Sequence, residues 1–239
     1  MGTPGNGHLI MASAPARAKR TVFLVDDHAL VREWLTNLIN QQPDLVVCGE
    51  AEDARKAMQG IEAAIPDVVV VDLLLKNSSG MELIKHLKRS HPGTAVLVLS
   101  MHEEPHFAKR ALRAGAGGYV TKREATRDVI EAIQKVLGGS LYLSQSIARD
   151  LAGGFVKERV PAGQASIDQL SDRELEIFEL IGQGQSVMEI AARLRINVKT
   201  VHTYCGRIRE KWNLKSSREL YLEAVHWREA RPSSRVRQG

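Results

Sequence analysis

Residues 68–72 read Val-Val-Val-Val-Asp, an apolar β-branched run that ends in a carboxylate. A short continuous run of this kind is typical of a strand buried on both faces of a parallel sheet. Similar runs lie at 21–25, 45–48, 95–99 and 118–120, and segments of helical composition alternate with them at 29–41, 54–64, 80–89, 105–114 and 124–137. The alternation predicts a doubly wound α/β domain, with helices on both faces of a five-stranded parallel sheet.

The last third of the chain carries a different pattern, that of a small all-helical domain. Ser171, Ser186 and Ser216 are each followed three residues later by Glu, the spacing of a capping box at a helix start. Asn197 is a fourth candidate cap. The sequence therefore predicts four helices, over 171–182, 186–194, 198–212 and 216–229. The short turn between the second and third predicts a helix-turn-helix.

Composition sets the limits of the domains. We expect a flexible tail over 1–20, the α/β domain over 21–140, a Gly- and Pro-containing linker over 141–167, the helical domain over 168–230 and a basic tail over 231–239. The net charge is +5 over 239 residues, with +3 in 1–20, −2 in 21–143 and +3 in 168–239. This asymmetry favours a polyanionic partner for the C-terminal part, although a solvated surface explains it at least as often.

Cysteine content and hydropathy further narrow the class of protein. The two cysteines, Cys48 and Cys205, exclude a disulfide scaffold and a cysteine zinc site. The histidines of the first domain form no metal-ligand spacing with cysteine or with one another. No apolar run approaches the roughly 20 residues of a membrane helix, and the first residues lack the apolar core of a secretory signal. The sequence predicts a cytoplasmic protein without a membrane partner.

Polar residues follow the predicted strands at one edge of the sheet, where ligands bind in open α/β folds. The first strand ends at Asp26 and Asp27, the third at Asp72, the fourth at Ser100 and the fifth before Lys122. Three neighbouring carboxylates repel one another unless a cation lies among them, and hard oxygen ligands suit Mg²⁺. A carboxylate beside such a cation can act as nucleophile toward a phosphoryl group, whose charge a lysine and a hydroxyl can engage. Each residue alone could instead be a turn former or a helix cap.

These motifs resemble the receiver domain of two-component response regulators. They are Val25-Asp26-Asp27-His28, Asp72-Leu-Leu-Leu, Ser100 and Tyr119-Val-Thr-Lys122. The resemblance implies the strand order 2-1-3-4-5 and makes Asp72 the phosphorylated residue, with Asp26, Asp27 and Asp72 as Mg²⁺ ligands. It makes Ser100 and Tyr119 the switch residues and Lys122 the phosphoryl partner. Receivers commonly carry Pro where this chain has Lys76, a solvated loop lysine that puts an extra cation near the acidic edge.

The third helix of the last domain has two faces. At 100° a residue, Val201, Cys205, Ile208 and Trp212 form an apolar stripe opposite small and polar residues. An ordinary bundle helix shows the same periodicity. However, the run from Leu170-Ser-Asp-Arg-Glu to Val198-Lys-Thr-Val-His-Thr-Tyr resembles the LuxR-type DNA-binding domain. The resemblance implies that His202, Thr203 and Gly206 face bases and that Lys199, Thr200 and Arg207 face phosphates. It also implies a dimer surface at Leu220, Tyr221, Ala224 and Val225. From the sequence alone, these residues could equally belong to the core of the domain.

Together the two resemblances imply a NarL/FixJ-type response regulator that is not an enzyme. Its expected partners are a histidine kinase, double-stranded DNA, a second copy of the chain when phosphorylated, and RNA polymerase. In this family the inactive receiver usually covers the recognition helix. One alternative is a phosphorylation-independent DNA-binding regulator whose receiver is only a dimer module. A Mg²⁺-dependent phosphohydrolase is another, but it needs an acid/base Asp where this chain has Leu74.

Overall fold

The structure, a computed structural model, describes residues 18–75, 78–101, 105–155 and 167–229. Residues 1–17 of the predicted N-terminal tail, the C-terminal tail, Lys76 and part of the predicted linker lie outside these ranges, whereas Arg20, the last residue of the predicted N-terminal tail, begins the first strand. The strands are β1 (Arg20–Val25), β2 (Leu45–Ala51), β3 (Val68–Val71), β4 (Leu74–Leu75), β5 (Ser78–Ser79), β6 (Ala95–Ser100), β7 (Gly118–Thr121) and β8 (Tyr142–Leu143). The helices of the first part are α1 (Ala29–Asn40), α2 (Ala54–Ala64), α3 (Gly80–Ser90), α4 (Pro105–Ala114), α5 (Ala125–Leu137) and α6 (Gln145–Phe155).

The main sheet is parallel, with the order β2-β1-β3-β6-β7-β8, so the predicted doubly wound class is confirmed. The run 68–71 is buried on both faces as expected. Val69 and Val71 pack with the residues of α2, α3 and α4, whereas Val68 and Val70 pack with those of α1 and α5. Since alternate side chains of a strand point to opposite faces, these four consecutive apolar residues contribute to two hydrophobic cores, one on each face of the sheet.

The predicted count of five strands is wrong by one in the main sheet, because β8 adds a sixth strand beside β7. Tyr142 and Leu143 are too few to show a hydropathy period, so pairing with an existing edge, not propensity, makes them a strand. For the same reason the sequence did not indicate the small antiparallel pair of β4 and β5. Helix α6 is longer than the helical piece expected near 147–151.

The helical domain contains α7 (Asp172–Gly182), α8 (Val187–Arg193), α9 (Val198–Lys211) and α10 (Ser217–Glu229), preceded by a single 3-10 turn at Ile167–Gln169. Complete capping boxes start α7 and α8, and Asn197 caps α9 by accepting from the amide of Thr200 at 2.7 Å. At α10 only half of the box forms, since Glu219 accepts from Lys215 and not from Ser216. Helices α9 and α10 both pack on α7.

The two domains contact each other through α7. Asp172, at its first turn, accepts from Arg110 at 2.9 Å and from Lys85 at 3.2 Å. Arg110 also donates to the carbonyl oxygen of Ile167 at 2.7 Å. One turn earlier in α4, His106 Nε2 lies 2.6 Å from Glu179 Oε1. These contacts join α7 to α3 and α4.

Candidate functional site

The acidic residues predicted at the strand ends lie together at the carboxyl edge of the sheet. Ligand atoms of Asp26, Asp27, His28 and Asp72 all lie within 4.8 Å of one another. Asp26 and Asp27 follow β1, and Asp72 follows β3, which pairs with β1 in parallel register. The sheet therefore brings residues 46 positions apart to one point, as the spacing predicted.

Lys122 links the cluster from the end of β7. Its Nζ atom lies 2.6 Å from Asp72 Oδ2 and 2.6 Å from Asp26 Oδ2. Burial raises the pKa of Asp72 to about 6, with a further rise from Asp26, and Lys122 opposes both. Burial alone lowers the pKa of Lys122, but the charges of Asp72 and Asp26 outweigh it, so that this pKa is raised. Lys122 is thus a cation held between the carboxylates of Asp26 and Asp72.

The cluster fits a small hard cation. The side chains of Asp26, Asp27 and Asp72 are almost fully buried, and their nitrogen neighbours are those of Lys122, His28 and Arg195. Buried carboxylate oxygens are costly without a positive partner. Oxygen ligands in small number suit Mg²⁺, which receiver domains typically bind.

Backbone geometry holds Asp72 in place. Its Oδ1 atom accepts from the amide of Leu74 at 3.1 Å, and the amide of Gly80 donates to Leu73 at 3.1 Å. A Cβ atom on Gly80 would lie 2.1 Å from the carbonyl oxygen of Asp72. Only glycine therefore lets the start of α3 approach the strand end this closely.

Ser100 and Tyr119 are fully buried beside this edge. Ser100 ends β6, and its carbonyl oxygen accepts from the amide of Lys122 at 2.8 Å. Tyr119 lies on β7, three residues before Lys122, and its carbonyl oxygen accepts from Ser144 just after β8. Ser100 and Lys122 thus lie at the ends of neighbouring strands that are paired in register, whereas Tyr119 lies within β7 opposite Val98.

The predicted DNA face of α9 is open to solvent. Lys199, His202, Thr203 and Arg207 are exposed, and Thr200 and Gly206 are partly buried. Val201 and Ile208, on the opposite stripe, are buried in the domain core. This differs from the covered recognition helix that the resemblance implied, because the receiver contacts α7 and the turn before α9 instead.

The four residues suggested as a dimer surface divide between core and surface. Leu220 and Ala224 are buried against the domain's own core, whereas Tyr221 is 48% exposed and Val225 is partly exposed. Helix α10 packs so closely on α7 that a Cβ atom on Gly182 would lie 2.6 Å from the carbonyl oxygen of Ala224. The large apolar residues that α10 exposes are therefore Tyr221 and Leu222.

Sequence reasoning missed two residues at the acidic edge. His28 was set aside for lack of a ligand spacing, yet its Nδ1 atom lies 2.8 Å from Asp27 Oδ1. Its position two residues after Asp26 was the available signal. Arg195, in the turn between α8 and α9, contacts Asp27 across 168 positions. No local pattern indicates a contact over that separation.

A receiver-like acidic edge on a parallel sheet, followed by a helix-turn-helix domain, defines a DNA-binding signalling regulator. The chain matches the family described as response regulator receiver domain over residues 22–134 and the bacterial regulatory proteins of the luxR family over 168–224. It belongs to the NarL/FixJ-type two-component response regulators.

Relatives match along most of the chain. Response regulator GacA of Pseudomonas viridiflava is 37% identical over 204 residues, which cover 85% of this chain and 94% of GacA. Transcriptional regulatory protein UhpA of Salmonella typhimurium is 36% identical over 200 residues, 84% of this chain and 95% of UhpA. These names are those of regulators, not of enzymes.

Solved structures share the fold. A LuxR-family response regulator from Aurantimonas matches with a TM-score of 0.57 and 36% identity, over 59% of this chain and all of that one. RcsB of Salmonella enterica serovar Typhimurium, bound to promoter rprA in the presence of phosphomimetic BeF3-, matches with a TM-score of 0.58 and 26% identity, over 87% of this chain and 98% of RcsB. Among the described residues of the present chain, no helix has the length and apolar character needed to cross a membrane.

Proposed function

We propose that Asp72 accepts a phosphoryl group from a partner histidine kinase or a small phosphodonor, and that the modified protein regulates transcription. The observation that carries this proposal is the convergence of Asp26, Asp27, Asp72 and Lys122, with Lys122 Nζ 2.6 Å from Asp72 Oδ2. An Asp72 oxygen would bond to phosphorus as the donor's bond to phosphorus breaks. The phosphoryl oxygens would then lie within reach of the Lys122 ammonium.

Asp26, Asp27 and Asp72 would hold Mg²⁺. When bound, the cation would offset negative charge on the phosphoryl oxygens during transfer. Lys122 would stay with the phosphoryl group as a second cation. Ser100 would turn its hydroxyl toward the phosphoryl group, with Tyr119 repacking beside it. The added negative charge would shift the equilibrium of a receiver that has two packed states.

Phosphoryl uptake tests this proposal. We expect purified protein to take up label from a radiolabelled small phosphodonor only with Mg²⁺, and the Asp72→Asn variant to take up none. Asp150→Asn removes the same charge from an exposed position on α6 and should leave uptake unchanged. Label retained by the Asp72→Asn variant would end the assignment.

The exposed face of α9 is proposed to bind double-stranded DNA. His202, Thr203 and Gly206 would approach base edges, with Lys199, Thr200 and Arg207 on phosphates. RcsB, whose fold this chain shares, is bound to promoter DNA in a solved structure, which supports the proposal. RNA polymerase is the expected partner at a promoter, and we propose that the protein acts in the cytoplasm.

Phosphorylation is proposed to favour a homodimer on half-sites about one DNA turn apart. Tyr221 and Val225 supply the accessible part of the dimer surface on α10. Sedimentation with Mg²⁺ and beryllofluoride should convert monomer to dimer in the wild type and not in the Asp72→Asn variant. A dimer under every condition would favour the phosphorylation-independent alternative.

A further inference from the structure

Arg195 carries a charge contact between the DNA-binding domain and the acidic edge of the receiver. Its Nη1 atom lies 2.5 Å from Oδ2 of Asp27, whose side chain is only 6% exposed. The guanidinium thus reaches a carboxylate of the candidate metal site from the helix-turn-helix, 168 positions away in sequence. Oδ1 of the same carboxylate lies 2.8 Å from His28 Nδ1. Both oxygens of Asp27 therefore have a nitrogen neighbour in this arrangement.

The backbone of Arg195 suits another residue better. It adopts a left-handed conformation with φ at 51°, just after the end of α8. Its amide donates to Ala192 and the amide of Ile196 donates to Ala191, the two bonds of a Schellman motif. Glycine is the usual residue at this position because a Cβ atom is strained there. Local structure therefore does not explain an arginine here, whereas the contact with Asp27 does.

A divalent cation and the Arg195 guanidinium compete for the same carboxylate. A cation held by Asp26, Asp27 and Asp72 would use lone pairs on Asp27 and would repel a second positive charge beside it. By thermodynamic linkage the effect is mutual. The contact of Arg195 weakens metal binding, and metal binding weakens the contact of Arg195 by the same factor.

Arg195 stands close to the DNA-reading helix. Only Ile196 separates it from Asn197, the cap of α9. The contact thus ties the start of this helix to the receiver while its predicted DNA face stays exposed. Freeing the helix-turn-helix therefore means releasing one end of α9, not uncovering its face.

We propose that Arg195 is a built-in competitor of the divalent cation at the acidic edge, so that metal binding alone releases the helix-turn-helix from the receiver before phosphoryl transfer. The inference rests on the proposed function only in assigning a divalent cation to Asp26, Asp27 and Asp72. The contacts of Asp172 with Arg110 and Lys85 do not involve that site. They remain after release, and the domain pivots on α7 instead of detaching.

Mg²⁺ binding in the absence of a phosphodonor tests the proposal. Arg195→Gly removes the guanidinium and places the favoured residue at the left-handed position, and Arg195→Asn is a second variant that tolerates this backbone. Calorimetry should show that both variants bind Mg²⁺ more tightly than the wild type, with a Kd lower by about fivefold or more. Fivefold is the lower end of the usual coupling between two sites.

Two control variants separate the contact from general effects. Asn213→Gly makes the same backbone change at φ 54°, in the equivalent turn after α9, where Leu214 donates to Arg209. Arg193→Gln removes one positive charge from an exposed site at the end of α8. Both should bind Mg²⁺ as the wild type does. Equal affinity in the Arg195 variants and these controls overturns the proposal.

Hydrogen exchange supplies a second readout. In the wild type, Mg²⁺ should change amide exchange in the turn that contains Arg195 and Ile196, whereas exchange in Arg195→Gly should not respond to the ion. Protection that does not respond to Mg²⁺ in the wild type would also contradict the proposal. If no form of the protein binds Mg²⁺, the proposed metal site itself fails, which is a different result from equal binding by all forms.

Discussion

Asp72 is subject to opposing electrostatic effects, of which burial is the largest. Burial and the neighbouring Asp26 disfavour its charge, and Lys122 favours it, leaving a pKa of about 6. An unfolded aspartate has a pKa of about 3.9. Between these two values the folded protein without metal therefore binds a proton that the unfolded chain releases.

The sign of the resulting pH dependence follows directly. Since the folded state binds more protons, the free energy of unfolding falls as pH rises from about 4 to about 6 in the absence of metal. Asp72→Asn should remove this slope. Because Lys122 keeps Asp26 as a partner, the variant should be more stable than the wild type at pH 7 by up to about 3 kcal/mol in EDTA. Urea unfolding of both proteins across this pH range checks the expectation, and a variant with an undiminished slope contradicts it.

At the residue scale, five site residues could be predicted because each lies at the end of a recognisable strand. They are Asp26, Asp27, Asp72, Ser100 and Lys122. Parallel strands end at one edge, so position along the chain predicts position in space for Asp26, Asp72 and Ser100. The ionisation of Asp72 could not be predicted in this way. It depends on burial and on two distances of 2.6 Å from Lys122, which only the folded chain sets.

Helix α9 contains Gly206 where helix propensity favours almost any other residue. Its backbone is not left-handed, and a Cβ atom there would have nothing within 4 Å. Gly206→Ala should therefore raise the free energy of unfolding of the helical domain by about 0.5–1 kcal/mol. Gly182→Ala is the matched control in α7, where the Cβ atom would lie 2.6 Å from the carbonyl oxygen of Ala224 and should destabilise. Urea unfolding that shows the same sign for both variants would contradict this account of the two glycines.

Helix α7 depends on Glu174, which serves both its capping box and an ion pair. Oε2 accepts from the amide of Ser171 at 2.7 Å and lies 2.6 Å from Lys211 Nζ. Burial alone raises the pKa of Glu174, but the hydrogen bonds from Lys211 and Ser171 outweigh it, so that the pKa is lowered. A lowered pKa contributes stability above the unfolded value, and this stability is lost as pH falls.

Glu174→Gln should therefore destabilise the helical domain by about 1 kcal/mol at pH 7. The Gln side chain can still accept from the Ser171 amide, so the lost stability comes mainly from the ion pair with Lys211. The difference from the wild type should shrink as pH falls below about 4.5, because Glu174 takes up a proton there in the unfolded chain and only at lower pH in the folded protein. Thermal unfolding at pH 7 and at pH 4 measures it, and a difference that grows in acid would exclude this explanation.

At the element scale, most of the secondary structure could be predicted, and the failures share one cause. Helices α7, α8 and α9 begin where Ser171, Ser186 and Asn197 indicated, because a cap is a local interaction. Strand β8 was missed because Tyr142 and Leu143 are a strand only through β7 beside them. Elements of two residues have no period to detect.

At the scale of the whole molecule, domain contacts were beyond prediction from the sequence. Arg110 and Asp172 lie 62 positions apart, and each is unremarkable in its own helix. The pair becomes significant only when α7 packs on α4. Charge distribution, by contrast, is a whole-molecule property that the sequence supplied, with +3 over residues 168–239. That charge agrees with the exposed Lys199 and Arg207 on α9.

Arg110 stabilises the arrangement in which α7 contacts α3 and α4, which we call the closed state. Its side chain is only 13% exposed, and it donates to Asp172 at 2.9 Å and to the carbonyl oxygen of Ile167 at 2.7 Å. A hydrogen bond to a charged group contributes about 1.5–3 kcal/mol to the state that contains it. If pairing of two helical domains on DNA requires the open state, these bonds oppose DNA binding by the unphosphorylated protein.

Arg110→Gln should therefore tighten DNA binding by the unphosphorylated protein about fivefold or more at fixed salt, by raising the population of the open state. Arg113→Gln removes the same charge from an exposed site on the same helix and serves as the control. Both variants lower the net charge equally, so general attraction to DNA changes alike and only the domain contact differs. Fluorescence anisotropy with a promoter fragment, repeated at two salt concentrations, measures the affinities. Equal affinities for the two variants would mean that the closed arrangement does not limit DNA binding, and control would then rest on dimer formation alone.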